Sequence, residues 1–494
     1  MAFIAVSLRG PPAAVRRTQS SRRADEASDA KWRICPTKYM IAAMRAFVAT
    51  SLGAATFAAL VVPLALPAGA NPAPARTATA PGPASADVPG STQSLPLVRL
   101  GDRDRALPGG HSGRAAKAAP LGMPVKDVRP FSLVGVVWND AKAELHGQPQ
   151  VRTRATGSHK WGAWQDVQTH YDDAPDLDAA ERRGDKPRGG TAPLWVGDSD
   201  AVQMRIAPEQ GRQAVTELPD GMRLELVDPG RPAKPRDPAP QAAGQEAADS
   251  ADVNAGLAPP GATTIPAAPA NALQADLAAA GEEERGQAPA AQPRIGPRPQ
   301  IITRIGWGAD EQLREPKLGY TKTVKAAFVH HSATGNGYSC NQSGAIVRGI
   351  YRYHVKSNHW RDLGYNFLID KCGAVFEGRA GGVARPVMGA HTLGFNNDTT
   401  GIAVIGTFDK AKPPAPALAA LGKLTAWKLG LHGRDPNGKA TLTSAGNNRY
   451  KKGTKVRLNV ISGHRDGYVT SCPGAALYGT LGSARTASAR FQGR

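Results

Sequence analysis

The stretch Ile461-Ser-Gly-His464-Arg-Asp-Gly-Tyr-Val-Thr470-Ser-Cys472-Pro-Gly474 decides how the C-terminal part of the chain is read. It follows a β-branched run, Val456 to Ile461, that predicts a strand ending in a glycine turn. His464 therefore stands where strand gives way to loop, and Pro473-Gly474 turns the chain just behind Cys472. Imidazole and thiolate are both good zinc ligands, and a loop can return a Cys to a strand-end His. A pair is not a site. The candidate third ligand is His330, in Ala326-Ala-Phe-Val-His330-His331-Ser-Ala-Thr334. Alternation along a strand puts His330 and Phe328 on one face and His331 on the other, and spacing leaves open which of the doublet ligates. Two His and one Cys leave a fourth tetrahedral position for water, which is the pattern of catalytic rather than structural zinc.

Working outward, 494 residues are enough for two or three domains. The formal net charge of +20, most of it in residues 301–494, suggests a polyanionic partner: nucleic acid, an anionic membrane or an anionic wall polymer. Aromatic residues make up only 6%, with no RNA-recognition signature, zinc-knuckle spacing or basic heptad, which argues against nucleic acid.

The N-terminal part reads as a processing segment. Residues 1–39 are polar and Arg-rich. After Arg45, a mostly apolar run from Ala46 to Leu66 precedes Pro67-Ala68-Gly69-Ala70. A charged start, an apolar centre and an Ala-x-Ala site before Asn71 predict a signal peptide within 1–70, with translation beginning at Met40 or Met44. Pro63, Pro67 and the small-residue site favour cleavage over a membrane anchor, so no stable span is expected afterwards. Export removes Cys35 and leaves Cys340, Cys372 and Cys472, an odd number in an oxidising compartment. Pairing Cys340 with Cys372 would leave Cys472 for metal; counting alone leaves the other pairings open.

Residues 71–127 are Ala/Pro/Gly/Ser-rich and read as a disordered tether. Six short alternating runs within 128–228, among them Phe131–Trp138 and Met222–Val227, predict a β-sandwich-like accessory domain. Most of its tryptophans are expected in the core, with a carbohydrate-stacking role as the alternative. Residues 229–300 read as a second Ala/Pro-rich linker, at most a fraying helix around 272–284. From Ile301, strand-like runs (Ala326–His330, Tyr365–Ile369, Ala374–Glu377, Ile402–Ile405, Val456–Ile461) alternate with helix-like ones (Ser343–Val355, Pro416–Leu431). The fold class is therefore α/β over 301–494, a mixed central sheet flanked by helices, preceded by a small all-β domain.

Six blocks then appear in order: Phe328-Val-His-His-Ser-Ala-Thr334, Asp362-Leu-Gly-Tyr-Asn-Phe367, Gly373-Ala-Val-Phe-Glu-Gly-Arg379, Gly389-Ala-His391, Gly401-Ile-Ala-Val-Ile-Gly406 and Gly463-His-Arg-Asp…Cys-Pro-Gly474. Together they resemble the peptidoglycan recognition protein family, which shares its fold with the zinc-dependent N-acetylmuramoyl-L-alanine amidases, including the phage lysozyme-type amidase. The resemblance covers about 300–480. The tryptophan-rich segment before it looks like the accessory β-domain of exported actinobacterial proteins of this type.

The resemblance implies that His330, His464 and Cys472 hold Zn2+, which settles the doublet in favour of its first member. It makes Tyr365 a catalytic tyrosine. Thr470 falls where some relatives carry Lys and others Thr; it is implied to help Tyr365 steady the water and the tetrahedral oxyanion, without the phage-type cation. His391 and Asn396 are implied to lie along the peptide-binding groove. The implied activity is a secreted, wall-associated zinc amidase that cuts between N-acetylmuramic acid and L-alanine in peptidoglycan, helped onto its substrate by anionic wall polymers. The alternative is a recognition module that binds peptidoglycan without cleaving it. A Cys340–Cys372 bridge would close a loop of about 30 residues, worth roughly 3 kcal/mol on a chain-entropy estimate.

Overall fold

The computed structural model describes residues 90–99, 121–169, 173–176, 186–208, 218–231, 250–281 and 293–494. All of them belong to one compact unit, Pro81–Arg494. The expected leader, signal peptide and Cys35 lie outside the described residues, as does most of the expected 71–127 tether. Among the described residues no helix is long and apolar enough to cross a membrane.

The N-terminal part of this unit is all β. Its strands are β1 (Ser91–Pro96), β2 (Val98–Arg99), β3 (Leu121–Trp138), β4 (Gln148–Ala155), β5 (Gln165–Asp166), β6 (Gly189–Gly190), β7 (Leu194–Ala207) and β8 (Arg223–Asp228). They form one antiparallel sheet in the order β1-β8-β3-β7-β4-β5, with β2 and β6 also pairing β3. The sheet begins earlier than the sequence suggests: β1 lies inside the stretch read as tether, where Ser94 donates to Glu225 Oε1 at 2.6 Å. Alternation along β3 explains how the sheet is used. Val134, Val136 and Trp138 face a core shared with Met204, Leu224 and Leu226. Leu133 and Val137 face the other way, into a second core with Ile346, Val347 and Ile350. A strand buried on both faces reads as a continuous apolar run.

The C-terminal part is a mixed seven-stranded sheet. It contains β9 (Thr264–Ile265), β10 (Ile301–Ile302), β11 (Ala326–His331), β12 (Phe367–Ile369), β13 (Val375–Glu377), β14 (Thr399–Val404) and β17 (Ile461–Gly463), in the order β17-β11-β14-β12-β13-β10-β9. Strands β17, β11, β14 and β12 run parallel. Helix α1 (Ser343–Arg352) covers one face through Ile346, Val347 and Ile350, which pack with Leu368, Ala403 and Ile405. Helices α2 (Ala415–Leu431) and α3 (Leu481–Phe491) cover the other, where Leu421, Leu424 and Trp427 meet Val329, Ile402 and Val404. Burial on both faces is what a parallel sheet requires.

Two sequence expectations change here. The run Val456–Ile461 is not one strand. Its first part is β16 (Lys455–Asn459), paired with β15 (Lys439–Thr443) in a separate hairpin, and only Ile461 onward joins the main sheet as β17. Nor is 229–300 linker throughout: β9 pairs β10, and Leu257, Ile265 and Leu273 are buried in the α2-side core. Asp276 is pinned there by Arg298 at 2.8 Å and by the Trp427 indole N–H at 2.8 Å. Isolated apolar anchors in an Ala/Pro background give no periodic signal, so tertiary contacts decide this segment.

The two sheets share a seam. Tyr353, just after α1, donates its hydroxyl to the carbonyls of Val136 at 3.2 Å and Thr191 at 3.1 Å. Gly135 permits this approach, because a Cβ there would lie 2.4 Å from the Tyr353 ring. Ser357 donates to Glu225 Oε2 at 3.0 Å across the same seam. The Cys340–Cys372 disulfide is formed, tying the start of α1 to the turn between β12 and β13.

Candidate metal centre

The parallel strands bring their C-terminal ends together at one edge of the mixed sheet. His330 lies on β11, paired with Ala403 of β14, and is fully buried. His464 follows β17 directly, in a turn where Asp466 Oδ2 accepts from Gly463 N at 2.9 Å. Cys472 returns beside them: its carbonyl accepts from Arg465 N at 3.0 Å and its own N–H donates to Thr470 Oγ1 at 3.1 Å. Gly474 is needed behind it, with φ of +86° and no room for a Cβ against Phe408. Thr470 is half-buried, and its hydroxyl oxygen helps shape the Cys loop. His331 points to the opposite side, where its Nδ1 accepts from Phe408 N at 3.2 Å.

Four donor atoms converge. Those of His330, His464, Cys472 and Asp173 all lie within 4.8 Å of one another. The Nδ1 atoms of His330 and His464 each lie 3.0 Å from Asp173 Oδ1, and Cys472 Sγ is 3.7 Å from His330 Nδ1. Two imidazole nitrogens and a thiol sulfur, buried and convergent, are a donor set suited to zinc. The far side of His330 also fits a ligand role. Its Nε2 lies 3.3 Å from His391 Nδ1 and 3.4 Å from Thr392 Oγ1, partners that fix ring orientation and tautomer.

Tyr365 donates its hydroxyl to Asp173 Oδ2 at 2.7 Å, so it stands at the same point as the ligand atoms. It is held by what precedes it in the chain. His354 Nδ1 accepts from Gly364 N at 3.1 Å, and its ring lies 4.4 Å from that of Trp360 and 5.8 Å from that of Tyr365. Burial, with Arg379 nearby, pushes His354 down to about 3, so it serves as a neutral acceptor. Burial and the neighbouring His330 and His464 also hold His391 well below the usual imidazole range. For Asp173, burial raises the carboxyl, but the imidazoles of His330 and His464 outweigh it and leave the group well below the usual carboxylate range.

The two residues expected along the groove are both buried. His391 is fully buried behind His330 and not on an open surface; its Nε2 lies 3.4 Å from Thr399 Oγ1. Asn396 is buried as well. Its Oδ1 accepts from the N–H groups of His391 at 2.7 Å and Thr392 at 3.0 Å. Its Nδ2 donates outward to Ala174 O at 2.9 Å and Asp176 Oδ1 at 2.9 Å. The residue that sequence reasoning missed is Asp173. It is one of several acids in a polar stretch, with no motif around it, and only the docking of one sheet on the other brings it to the cluster.

Two family descriptions match the chain: Rv3811 N-terminal galactose-binding domain-like over residues 78–243, and N-acetylmuramoyl-L-alanine amidase over 320–475. Peptidoglycan-recognition protein LE of Drosophila melanogaster is 36% identical over 118 residues, 24% of this chain and 33% of that protein. The human N-acetylmuramoyl-L-alanine amidase is 31% identical over 185 residues, 37% of this chain and 28% of that one. Peptidoglycan recognition protein 1 of Bos indicus is 32% identical over 187 residues, 36% of this chain and 80% of that protein. The chain thus spans about a third of the length of the first two relatives and most of the third. By this match, the chain belongs to the peptidoglycan recognition protein family, which includes N-acetylmuramoyl-L-alanine amidases.

Proposed function

We propose that this protein is an exported, wall-associated zinc amidase that hydrolyses the bond between the lactyl group of N-acetylmuramic acid and L-alanine in peptidoglycan. The observation that carries the reading is the buried convergence of His330 Nδ1, His464 Nδ1 and Cys472 Sγ with the Tyr365 hydroxyl beside them. A zinc ion held by the two histidines and the cysteine would acidify a water and polarise the scissile carbonyl. The chain's own residues do the rest. Tyr365 aims a hydroxyl donor at the place where negative charge develops on the carbonyl oxygen. His391 accepts the Nε2 proton of His330 and so keeps Nδ1 free to ligate. Thr470 acts on the cysteine by fixing its amide. The outward N–H groups of Asn396 and Gly394 are suited to carbonyl or carboxylate groups of the stem peptide.

The test is incubation of the full chain, quantified for zinc, with purified peptidoglycan over hours. New L-alanine amino termini without new reducing ends, with about one zinc per chain and loss on chelation, are expected from the one-site donor set. Wall binding with zinc present and no new termini would replace the amidase with a recognition module.

A further inference from the structure

The connection between β5 and β6 sends Asp173-Ala-Pro-Asp176 across the site. At one end the Asp173 carboxylate spans the cluster, with Oδ1 3.0 Å from both histidine Nδ1 atoms and Oδ2 accepting from Tyr365. At the other end Asp176 Oδ1 accepts from Asn396 Nδ2 at 2.9 Å and from Gly394 N at 2.7 Å. Between them the Ala174 carbonyl takes the remaining Asn396 proton, and Pro175 is buried. Every donor assigned to substrate under the proposed function is therefore engaged by this segment. Nearer β5, Gln168 is tied to Asp409 Oδ2 at 2.7 Å, which fixes one side of the approach.

We infer that Asp173–Asp176 is a built-in occupant of the site: Asp173 supplies the fourth metal ligand in place of water, and Asp176 fills the place of a substrate acid group. The all-β part thereby holds the enzyme latent. The inference rests on the zinc-site reading above. A fourth protein ligand closes a zinc site that catalysis needs open. Opening needs no covalent step. An acidic peptide that takes Asn396 and Gly394 from Asp176 competes directly with the segment, so substrate itself lifts the block.

The experiment uses the full chain loaded with cobalt(II), whose visible spectrum reports the ligand set, and acetohydroxamate as a probe that needs the position held by Asp173. A segment docked about nine-tenths of the time lowers apparent probe affinity about tenfold, so Asp173→Ala should bind acetohydroxamate about tenfold tighter than the unaltered protein. Asp173→Asn, a poorer ligand of the same shape, should fall between them. Asp176→Ala should shift affinity the same way by a smaller factor, and it carries the test if Asp173→Ala does not fold. Equal probe affinity and an unchanged cobalt spectrum across the variants would overturn the inference. So would a loss of hydrolysis in Asp173→Ala without tighter probe binding, which would make Asp173 catalytic. A clear gain in probe affinity with no L-alanine termini released by any variant would leave the latch standing and sink the amidase reading.

Discussion

The mixed sheet delivers His330 from the interior of a strand whose six residues are all buried and which is paired on both sides by parallel neighbours. His464 follows the next strand without an intervening residue. The antiparallel sheet delivers one carboxylate to the same point, and does so on a loop. Among the described residues, the Asp173 carboxylate is held by two imidazoles and one hydroxyl, and the next three residues by the Asn396 amide and the Gly394 N–H. Ligands fixed by strand pairing cannot leave without unfolding the sheet. A carboxylate fixed by exchangeable hydrogen bonds can leave whenever another acceptor takes its place. Of the proposed ligands, His330 and His464 are thus set by strand pairing, Cys472 by a loop closed through its own backbone hydrogen bonds, and Asp173 by its carboxylate contacts.

The largest expected effect tests the permanent side. His330→Ala, His464→Ala or Cys472→Ala each leaves too few donors for the metal, so zinc should fall to background by elemental analysis and hydrolysis should vanish with it. Retained zinc and activity in Cys472→Ala would break the comparison, because the removable carboxylate would then suffice in place of the cysteine. Tyr365→Phe comes next. It keeps the ring between His330 and His354 and removes only the hydroxyl. Zinc content should be unchanged while kcat falls about 10²–10³-fold, the usual loss for one oxyanion donor. An unchanged kcat would return Tyr365 to a packing role.

His391→Gln sharpens the same contrast at smaller scale. It removes the imidazole acceptor behind His330 without touching the metal-facing atom. Zinc affinity should drop about 10–100-fold in competition with a chromogenic chelator, as expected for a partner of a ligating histidine. No change would mean that Thr392 alone holds the ring.

What could be read from the chain follows the same division. His330, His464, Cys472 and Tyr365 sit in runs with local punctuation, such as Gly463 before His464 and Pro473-Gly474 after Cys472, so strand ends and loops announce them. The central strands and the two helices are equally legible: the strands and 415–431 as mostly apolar runs, 343–352 as an amphipathic one with Ile346, Val347 and Ile350 on its buried side. Asp173 was not, because nothing local distinguishes it from the acids around it; its role exists only once β3 is buried on both faces. The same holds for 254–281, whose few apolar anchors mean nothing until α2 is there to receive them. His391 shows a different limit. Its motif was legible, but motif position does not say whether a side chain faces the groove or the back of a ligand.

The smallest expected effect concerns the seam that sets the reach of the Asp173 loop. Tyr353→Phe removes a hydroxyl shared by the carbonyls of Val136 and Thr191 and leaves the ring in the notch over Gly135. The loss should be about 1 kcal/mol, seen as a lower denaturation midpoint, since only a net hydrogen bond is lost. Zinc content should not move, because no ligand of the mixed sheet depends on that hydroxyl. Access of acetohydroxamate to the cobalt-loaded site should rise slightly, because loosening the seam draws the antiparallel sheet and its carboxylate away together. A fall in zinc affinity instead would mean that the seam also positions β11, and the two sheets would then act as one body at the site.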